Sequence, residues 1–226
     1  IVTEVKRRFD IPVASHLTCV GATADDLRGY LSEAASRDID FIVALRGDPP
    51  QGEDQFQPTP GGLQYANELV ELIQKEFPQF GIAVAGYPET HQEAESPAAD
   101  LQNLKRKVDA GGQIVITQLF FDNADFFRFK SACQERGIAC PIIPGILPVT
   151  NLAQIQRITS LCGATLPESF VAEMSKQDDE QWQFDVGVEF ARKQVHELMD
   201  ANVPGIHFYV LNKSNATASV LRSLEG

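Results

Sequence analysis

The sequence predicts an α/β fold of the (β/α)8 TIM barrel type, with about six of the eight strand–helix units in this chain. Two observations lead to this prediction. Short, almost continuously apolar runs rich in β-branched residues alternate with longer amphipathic stretches along the whole chain. Such runs are typical of parallel strands covered on both faces, and the alternation favours right-handed strand–helix–strand units.

The individual elements follow from the period of the apolar residues. Strands are predicted at residues 13–19, 41–46, 82–87, 113–119, 142–147 and 206–211. Helices are predicted at residues 2–9, 24–37, 63–77, 98–110, 124–136, 152–161, 167–174 and 181–200. Gly111, Gly112 and Gly137 follow two of these helices, where glycine commonly ends a helix. The segment 49–62, rich in Pro, Gly and Gln, is predicted to be a long loop.

The chain is predicted to form one domain over residues 1–226, because no linker or low-complexity segment divides it. It opens without Met on a helical segment, and six units are two short of a complete barrel. We therefore expect the first two strand–helix units to be missing from its amino end. A doubly wound sheet is the alternative, but no GxGxxG turn follows any predicted strand.

Composition excludes several classes of protein. A net charge of −12 and a pI near 4.7 argue against binding to nucleic acids or anionic membranes. No apolar run approaches the roughly 20 residues that span a bilayer. Cys19, Cys133, Cys140 and Cys162 form no CxxC pair and are too sparse for a disulfide scaffold. Reduced thiols in a cytoplasmic protein are therefore expected, without a metal site.

Polar residues stand at or near the carboxyl ends of the predicted strands. They are His16, Thr18, Arg46, Asp48, Tyr87, Glu89, His91, Gln118, Tyr209 and Asn212, while Pro144 and Gly145 stand at the end of the fifth strand. Because these ends share one face of a barrel, the side chains are predicted to converge on one site. Taken singly, each has a structural alternative: a glutamine in a strand can be hydrogen-bonded in the core, and Arg46 can simply pair with Asp48.

One helical face adds a second candidate site. Asp100, Asn103 and Lys107 lie beside the apolar stripe of the helix predicted at residues 98–110. A carboxylate, an amide and a cation together suit a ligand that carries phosphates and hydroxyls, such as a dinucleotide. A solvated face with charge pairs inside the helix is the alternative.

Together these motifs resemble the methylenetetrahydrofolate reductase family along the whole chain. The motifs are His-Leu-Thr-Cys at 16–19, Ala-Leu-Arg-Gly-Asp at 44–48, Ala-Gly-Tyr-Pro-Glu-Thr-His at 85–91, the helix at 100–111, Ile-Thr-Gln-Leu-Phe-Phe-Asp at 116–122, Ile-Pro-Gly-Ile-Leu-Pro at 143–148 and His-Phe-Tyr at 207–209. The resemblance implies a short, bacterial-type (β/α)8 barrel that binds FAD. It implies reduction of 5,10-methylenetetrahydrofolate to 5-methyltetrahydrofolate by NADH or NADPH, in one-carbon and methionine metabolism. A cytoplasmic homo-oligomer with small-molecule substrates is implied as well.

The resemblance also implies roles for individual residues. FAD contacts are expected from His16, Arg46, Gly47, Asp48, Ala66, Tyr87, His91, Ala94, Asp100, Asn103, Arg106 and Lys107. Asp48 and Gln118 are the implied catalytic residues, and Gln118 also faces the nicotinamide. Folate contacts are expected from Asp48, Gln118, Gln154, Tyr209 and Lys213. Lys213 stands where the bacterial pattern can have an arginine, and Ile158 stands where some relatives stack an aromatic ring on the folate.

One departure from the family concerns the proton donor. The family carries it as the glutamate of an amino-terminal Glu-Phe-Phe-Pro-Pro motif, and that motif is not in this sequence. We therefore expect the chain as given to reduce the folate poorly or not at all, and a version restored upstream to be active. Two alternatives stay open. One is a non-catalytic flavin- or folate-binding fragment, and the other is a flavin-free barrel lyase using a strand-end lysine, for which Lys213 is the candidate.

Overall fold

Strands and helices alternate along the chain as the sequence predicts. The structure is a computed structural model, and it describes residues 1–49, 52 and 56–224. The strands are β1 (Ala14–Thr18), β2 (Phe41–Leu45), β3 (Gly81–Gly86), β4 (Ile114–Leu119), β5 (Ile142–Ile146) and β6 (His207–Phe208). The helices are α1 (Val2–Phe9), α2 (Ala24–Ser36), α3 (Ala66–Glu76), α4 (Pro97–Asp109), α5 (Asn123–Glu135), α6 (Leu152–Cys162), α7 (Glu168–Met174), α8 (Glu180–Asp200) and α9 (Asn215–Arg222).

The strands form a six-stranded parallel sheet in the order in which they occur in the chain, β1 to β6. At one side of the sheet Ala14 is paired with Phe41, and Phe41 with Gly81. At the other side Gly145 is paired with His207. Among the described strands the order does not reverse, so the predicted (β/α) barrel fold with six strand–helix units is confirmed.

Strand β1 departs from the prediction that every strand is covered on both faces. Leu17 is its one buried residue, while Ala14 and His16 are exposed. The reason is its place in the sheet, since β1 stands first in the order and pairs with β2 alone among the described strands. A strand at the edge of a sheet has fewer neighbours to cover it.

The ends of the helices are set by local hydrogen bonds. Helix α3 begins at Ala66 and not at residue 63, because the Glu68 carboxylate accepts the backbone N–H groups of Gln64 (2.6 Å) and Tyr65 (3.2 Å). This cap satisfies two donors just before the first turn and fixes where the helix begins.

The predicted role of the Gly111–Gly112 pair is confirmed. The N–H of Gly111 donates to the Val108 carbonyl and that of Gly112 donates to the Lys107 carbonyl, both at 3.0 Å. Gly111 has a φ of +127°, a conformation that L side chains rarely adopt. This bonding pattern ends a helix in a Schellman motif, which here stops α4 just before β4.

The carboxyl end of the chain differs from the prediction. The strand predicted at 206–211 is reduced to His207–Phe208, because Leu211 (φ 45°) and Asn212 (φ 61°) take left-handed conformations that turn the chain away from the sheet. Helix α9 was not predicted. Its buried face consists of Ala216, Thr217 and Val220, which is a weak apolar signal in the sequence.

The described residues group into two compact units, which are described separately. Unit 1 comprises Ile1–Ala85 with Gln102–Val115, and unit 2 comprises Gly86–Leu101 with the residues from Ile116 onward. Fully buried residues of unit 1 include Ile42, Leu69, Val70, Ile73 and Val84. The core of unit 2 contains Leu119, Phe121, Leu147, Val149, Ile155, Phe170 and Met174. The prediction of a single domain stays a prediction.

Two further observations concern predicted features. Within residues 1–49, 52 and 56–224, no helix combines the length and the apolar character needed to cross a membrane. The loop predicted at 49–62 lies partly outside the described residues, since 50, 51 and 53–55 are not among them.

Candidate active site

In unit 1 the chain turns at Gly47, the second residue after β2. Gly47 has a φ of +90°, and a Cβ at this position would lie 2.6 Å from Cγ1 of Val20. Both observations require glycine here, because a side chain would be strained and would overlap its neighbour. The turn is followed by Asp48, whose side chain is exposed to solvent.

Arg46, which precedes this turn, is held against an aromatic ring. Its guanidinium carbon lies 5.0 Å from the centroid of the Phe56 ring, within the range of a cation–π contact. Its Nε also donates to the Gly47 carbonyl at 3.4 Å. A restrained cation and an exposed carboxylate therefore flank Gly47 at the carboxyl end of β2.

Three other residues of unit 1 lie near this end of the strands or on the adjacent helix. His16 is exposed on β1, where it is paired with Val43 of β2. Ala66 is the first residue of α3 and is half-buried. Burial raises the pKa of the Cys19 thiol to about 11, and its Sγ donates to the Leu45 carbonyl at 3.4 Å. The Cys19 thiol is therefore expected to stay protonated at neutral pH.

The polar face of α4 is more than a solvated surface. Nζ of Lys107 donates to the carbonyl of Ala85 at 2.6 Å. Ala85 immediately precedes Gly86, the last residue of β3. On the same helix a guanidinium nitrogen of Arg106 donates to Oδ1 of Asn103 at 2.9 Å. The sequence left open a solvated face with charge pairs inside the helix. Lys105 and Asp109 form such an ion pair. Lys107 instead brings a cation to a strand end.

In unit 2 the turn after β3 is organised around His91. The backbone N–H of His91 donates to Oδ2 of Asp100 at 2.9 Å, which ties the turn to the start of α4. Nδ1 of His91 accepts the N–H of Glu93 at 3.1 Å, and the His91 carbonyl accepts the N–H of Ala94 at 2.9 Å. The rings of Tyr87 and His91 meet edge-on with centroids 4.5 Å apart. Because Nδ1 accepts a hydrogen bond, Nε2 carries the proton when the ring is neutral.

A small cavity of about 180 Å³ lies beside this turn in unit 2. It is lined by Tyr87, Pro88, Glu89, Thr90, Gln118, Leu119, Cys162 and Ala164. Oε1 of Gln118 accepts the backbone N–H of Leu119 at 2.9 Å, which restrains this side chain from within its own strand. The structure thus brings Tyr87 and Gln118 together, as the sequence predicts.

Glu89 links the same turn to the segment after α6. Both of its carboxylate oxygens accept the backbone N–H of Thr165, at 2.9 and 3.2 Å. Close packing accompanies this bond, since a Cβ at Gly163 would lie 2.8 Å from Cγ of Gln92. The sequence placed Glu89 among the polar residues near strand ends but gave it no role. Its contact with Thr165 gives it one: it joins two segments that line the small cavity.

The pKa of the Glu89 carboxyl is raised. Burial is the main cause, hydrogen bonds from Thr165 act in the opposite direction, and the negative charges of Asp125 and Asp122 add to the increase. A carboxyl whose folded pKa lies above its unfolded pKa stabilises the fold at acidic pH. That contribution is lost as the pH rises through the folded pKa.

Glu89→Gln is therefore expected to gain stability relative to the unmodified protein as the pH is raised from about 4 to about 7. The amide oxygen of glutamine can still accept the Thr165 N–H, while the partly desolvated charge is removed. Urea unfolding at a series of pH values measures this difference. Glu95→Gln, at an exposed carboxylate of the same segment, is the control. A stability difference for Glu89→Gln that does not change with pH would contradict the assignment.

A larger cleft of about 410 Å³ also lies in unit 2. Three residues predicted to contact a substrate line it, namely Gln154, Tyr209 and Lys213. Ile158 lines it as well, with its aliphatic side chain half-buried. Gln154 is exposed in the first turn of α6, where its backbone N–H is capped by Oδ1 of Asn151 at 2.8 Å.

Across the part of the chain that the structure describes, no group of three or more His, Cys, Asp or Glu side chains is arranged to hold a metal ion. The four cysteines are free thiols.

Comparison of the chain with known protein families identifies a family that matches almost its whole length. The family profile described as "Methylenetetrahydrofolate reductase" matches residues 1–225. The chain belongs to the methylenetetrahydrofolate reductase family. It is 40% identical over 226 residues to the 5,10-methylenetetrahydrofolate reductase of Escherichia coli (strain K12), covering 99% of this chain and 74% of that protein. It is 33% identical over 235 residues to methylenetetrahydrofolate reductase (NADH) 1 of Zea mays, covering 99% of this chain and 40% of that protein.

Comparison with solved structures supports the same fold. A protein from Clostridium thermocellum, described as binding two copies of 5-methyl-5,6,7,8-tetrahydrofolic acid, is similar with a TM-score of 0.59. The similarity covers 98% of this chain and 76% of that protein, at 14% sequence identity. At this level of identity the likeness concerns the fold.

Proposed function

We propose that this chain is the catalytic barrel of an enzyme that reduces 5,10-methylenetetrahydrofolate to 5-methyltetrahydrofolate with NAD(P)H. The observation that carries the proposal is 40% identity to the E. coli reductase along 99% of the chain. The sites in each unit agree with it. Unit 1 presents Arg46 and Asp48 at a strand end, and unit 2 contains a cavity with Gln118 and a cleft with Gln154.

The side chains available suit FAD as the resident cofactor. Arg46 and Lys107 supply cations near strand ends, where each is restrained by a contact with the protein. Such groups bind the phosphates of a dinucleotide, while carboxylates and amides such as Asp100 and Asn103 bind its hydroxyls. We propose the full set of FAD contacts as His16, Arg46, Gly47, Asp48, Ala66, Tyr87, His91, Ala94, Asp100, Asn103, Arg106 and Lys107.

The chemistry that FAD supplies when bound is the relay of a hydride from NAD(P)H to the methylene carbon of the folate. The protein's own part is electrostatic. In our proposal Asp48 stabilises the positive charge that develops on the folate when its five-membered ring opens. Gln118 orients the folate and the nicotinamide through its amide. Gln154, Tyr209 and Lys213 bind the rest of the folate in the larger cleft, with Lys213 facing a negatively charged part of it.

The proposal extends to the setting of the enzyme. A role in methionine biosynthesis, a cytoplasmic location and a homo-oligomeric state are expected for it. NADH is the preferred reductant in the proposal, in keeping with the plant relative whose name specifies it.

Replacing Arg106 and Lys107 together by alanine is expected to weaken FAD binding by about 1.5–3 kcal/mol for each charge-assisted hydrogen bond that is lost. Fluorescence titration of the flavin-free, full-length gene product measures this affinity. The matched control replaces Lys105 and Arg128, two cations that pair with carboxylates on their own helices, and so changes the net charge equally. Unchanged affinity in the Arg106/Lys107 variant would mean that this face of α4 is merely solvated.

Purification of the full-length gene product tests the proposed function directly. The expected result is a yellow protein with the absorption bands of bound flavin that oxidises NAD(P)H and forms 5-methyltetrahydrofolate. A flavin-binding protein without turnover would favour the non-catalytic alternative. A colourless protein with no flavin requirement would favour the barrel lyase.

A further inference from the structure

Tyr209 spans a strand to reach the backbone beside Gln118. It directly follows β6, and its N–H donates to the carbonyl of Ile146 in the neighbouring β5 at 2.9 Å. Its side-chain hydroxyl extends further and donates to the carbonyl of Thr117 in β4 at 2.9 Å. The residue therefore binds two strands at once, through its backbone and through its side chain.

Gly145 makes room for this contact. A Cβ at Gly145 would lie 2.7 Å from Cε2 of Tyr209 and 2.3 Å from the Thr117 carbonyl oxygen. The N–H of Gly145 also donates to Oγ1 of the fully buried Thr117 at 2.9 Å. Because β5 has no side chain at this point, the tyrosine ring passes over its backbone and meets β4.

The Thr117 carbonyl belongs to the peptide group that joins Thr117 to Gln118. We propose that Tyr209 is a positioning residue whose hydroxyl holds this peptide and thereby sets the orientation of the Gln118 side chain. Gln118 is also restrained within its own strand, by the bond from the Leu119 N–H to its Oε1. The ring of Tyr209 lines the folate cleft, while its hydroxyl acts on Gln118. This division of roles rests on the proposed function.

The protonation state of the Tyr209 hydroxyl suits its role as a hydrogen-bond donor. Burial raises the pKa of Tyr209 to about 12, so the hydroxyl keeps its proton at physiological pH and remains a donor. The His207 and Tyr209 rings are nearly perpendicular with centroids 4.7 Å apart, and this contact further restrains the tyrosine ring.

Tyr209→Phe removes the hydroxyl and keeps the ring, so it tests this role with little change in packing. In the full-length protein we expect faster hydrogen exchange at the Leu119 amide, which reports the loosening of Gln118 without reference to activity. We also expect kcat/KM for the folate to fall about tenfold and the affinity for 5-methyltetrahydrofolate, measured by calorimetry, to fall with it. Tyr30→Phe, which removes a hydroxyl bonded to Ser15 Oγ at the surface, is the matched control and should change neither.

A double-mutant cycle with Gln118→Ala decides whether Tyr209 acts through Gln118. In the Gln118→Ala background, Tyr209→Phe should change kcat/KM and product affinity less than twofold, because the group it positions is gone. The proposal would be overturned if the effects of Tyr209→Phe and Gln118→Ala on kcat/KM were independent and multiplied in the double variant. It would also be overturned if hydrogen exchange at the Leu119 amide were unchanged in Tyr209→Phe. If exchange rises while the unmodified protein neither binds nor reduces the folate, the proposed function fails and the structural coupling of Tyr209 to Gln118 stands.

Discussion

Gly187→Ala is expected to destabilise the protein by roughly 2 kcal/mol or more. A Cβ at Gly187, inside α8, would lie 1.6 Å from the carbonyl oxygen of Val149. Backbone atoms cannot rotate away as a flexible side chain can, so α8 or the segment after β5 must shift. Val149 belongs to the core of unit 2 and also lines the larger cleft, so the shift should weaken the proposed binding of folate there as well.

The chain offers a matched control for this substitution. Gly29 also lies inside a helix, α2, but a Cβ there would have no atom within 4 Å. Gly29→Ala should therefore stabilise the protein by up to about 1 kcal/mol, since alanine favours a helix. Chemical denaturation of both variants measures the two effects. Equal stability changes of the same sign would show that the contact with Val149 does not limit the packing of α8.

Asp48→Asn is expected to slow reduction of the folate by roughly 10²-fold or more, while oxidation of NAD(P)H changes far less. The asparagine has almost the same shape but carries no charge, and in the proposed mechanism the folate alone develops a positive charge that needs a carboxylate. Rapid-mixing kinetics on the full-length gene product measure the two reactions separately.

The control for Asp48→Asn is Asp25→Asn, which neutralises an exposed carboxylate paired with Arg28 on α2. It should leave both reactions unchanged. Equal slowing of both reactions by Asp48→Asn would mean that Asp48 acts mainly in holding the cofactor. If Asp48→Asn slowed neither reaction, Asp48 would have no role in the proposed mechanism.

The sequence alone determined the fold class and indicated which polar residues follow the strands; their roles in a site stay predictions. The buried runs of β2 and β3 read as strands because they are almost continuously apolar. The turn at Gly47 could be predicted because a glycine between charged residues directly follows such a run. These signals are local, since they depend on residues that are neighbours in the chain.

The tertiary structure decided the contacts between residues distant in sequence. Nothing in the local pattern says that Glu89 binds Thr165, or that the Tyr209 hydroxyl passes over Gly145 to Thr117. The short β6 and the existence of α9 also escaped prediction. The left-handed residues after β6 and the Ala- and Thr-rich buried face of α9 give no strong periodic signal.

The same division applies to the glycines. Gly111, at the end of a helical pattern, could be assigned from sequence, because the conformation it needs is set by the helix itself. Gly187 could not, because its requirement comes from the carbonyl of Val149, which lies 38 positions earlier in the chain. The local sequence determines backbone conformation, such as where a helix ends. Close packing in the folded protein determines which positions must be glycine because a distant group contacts them.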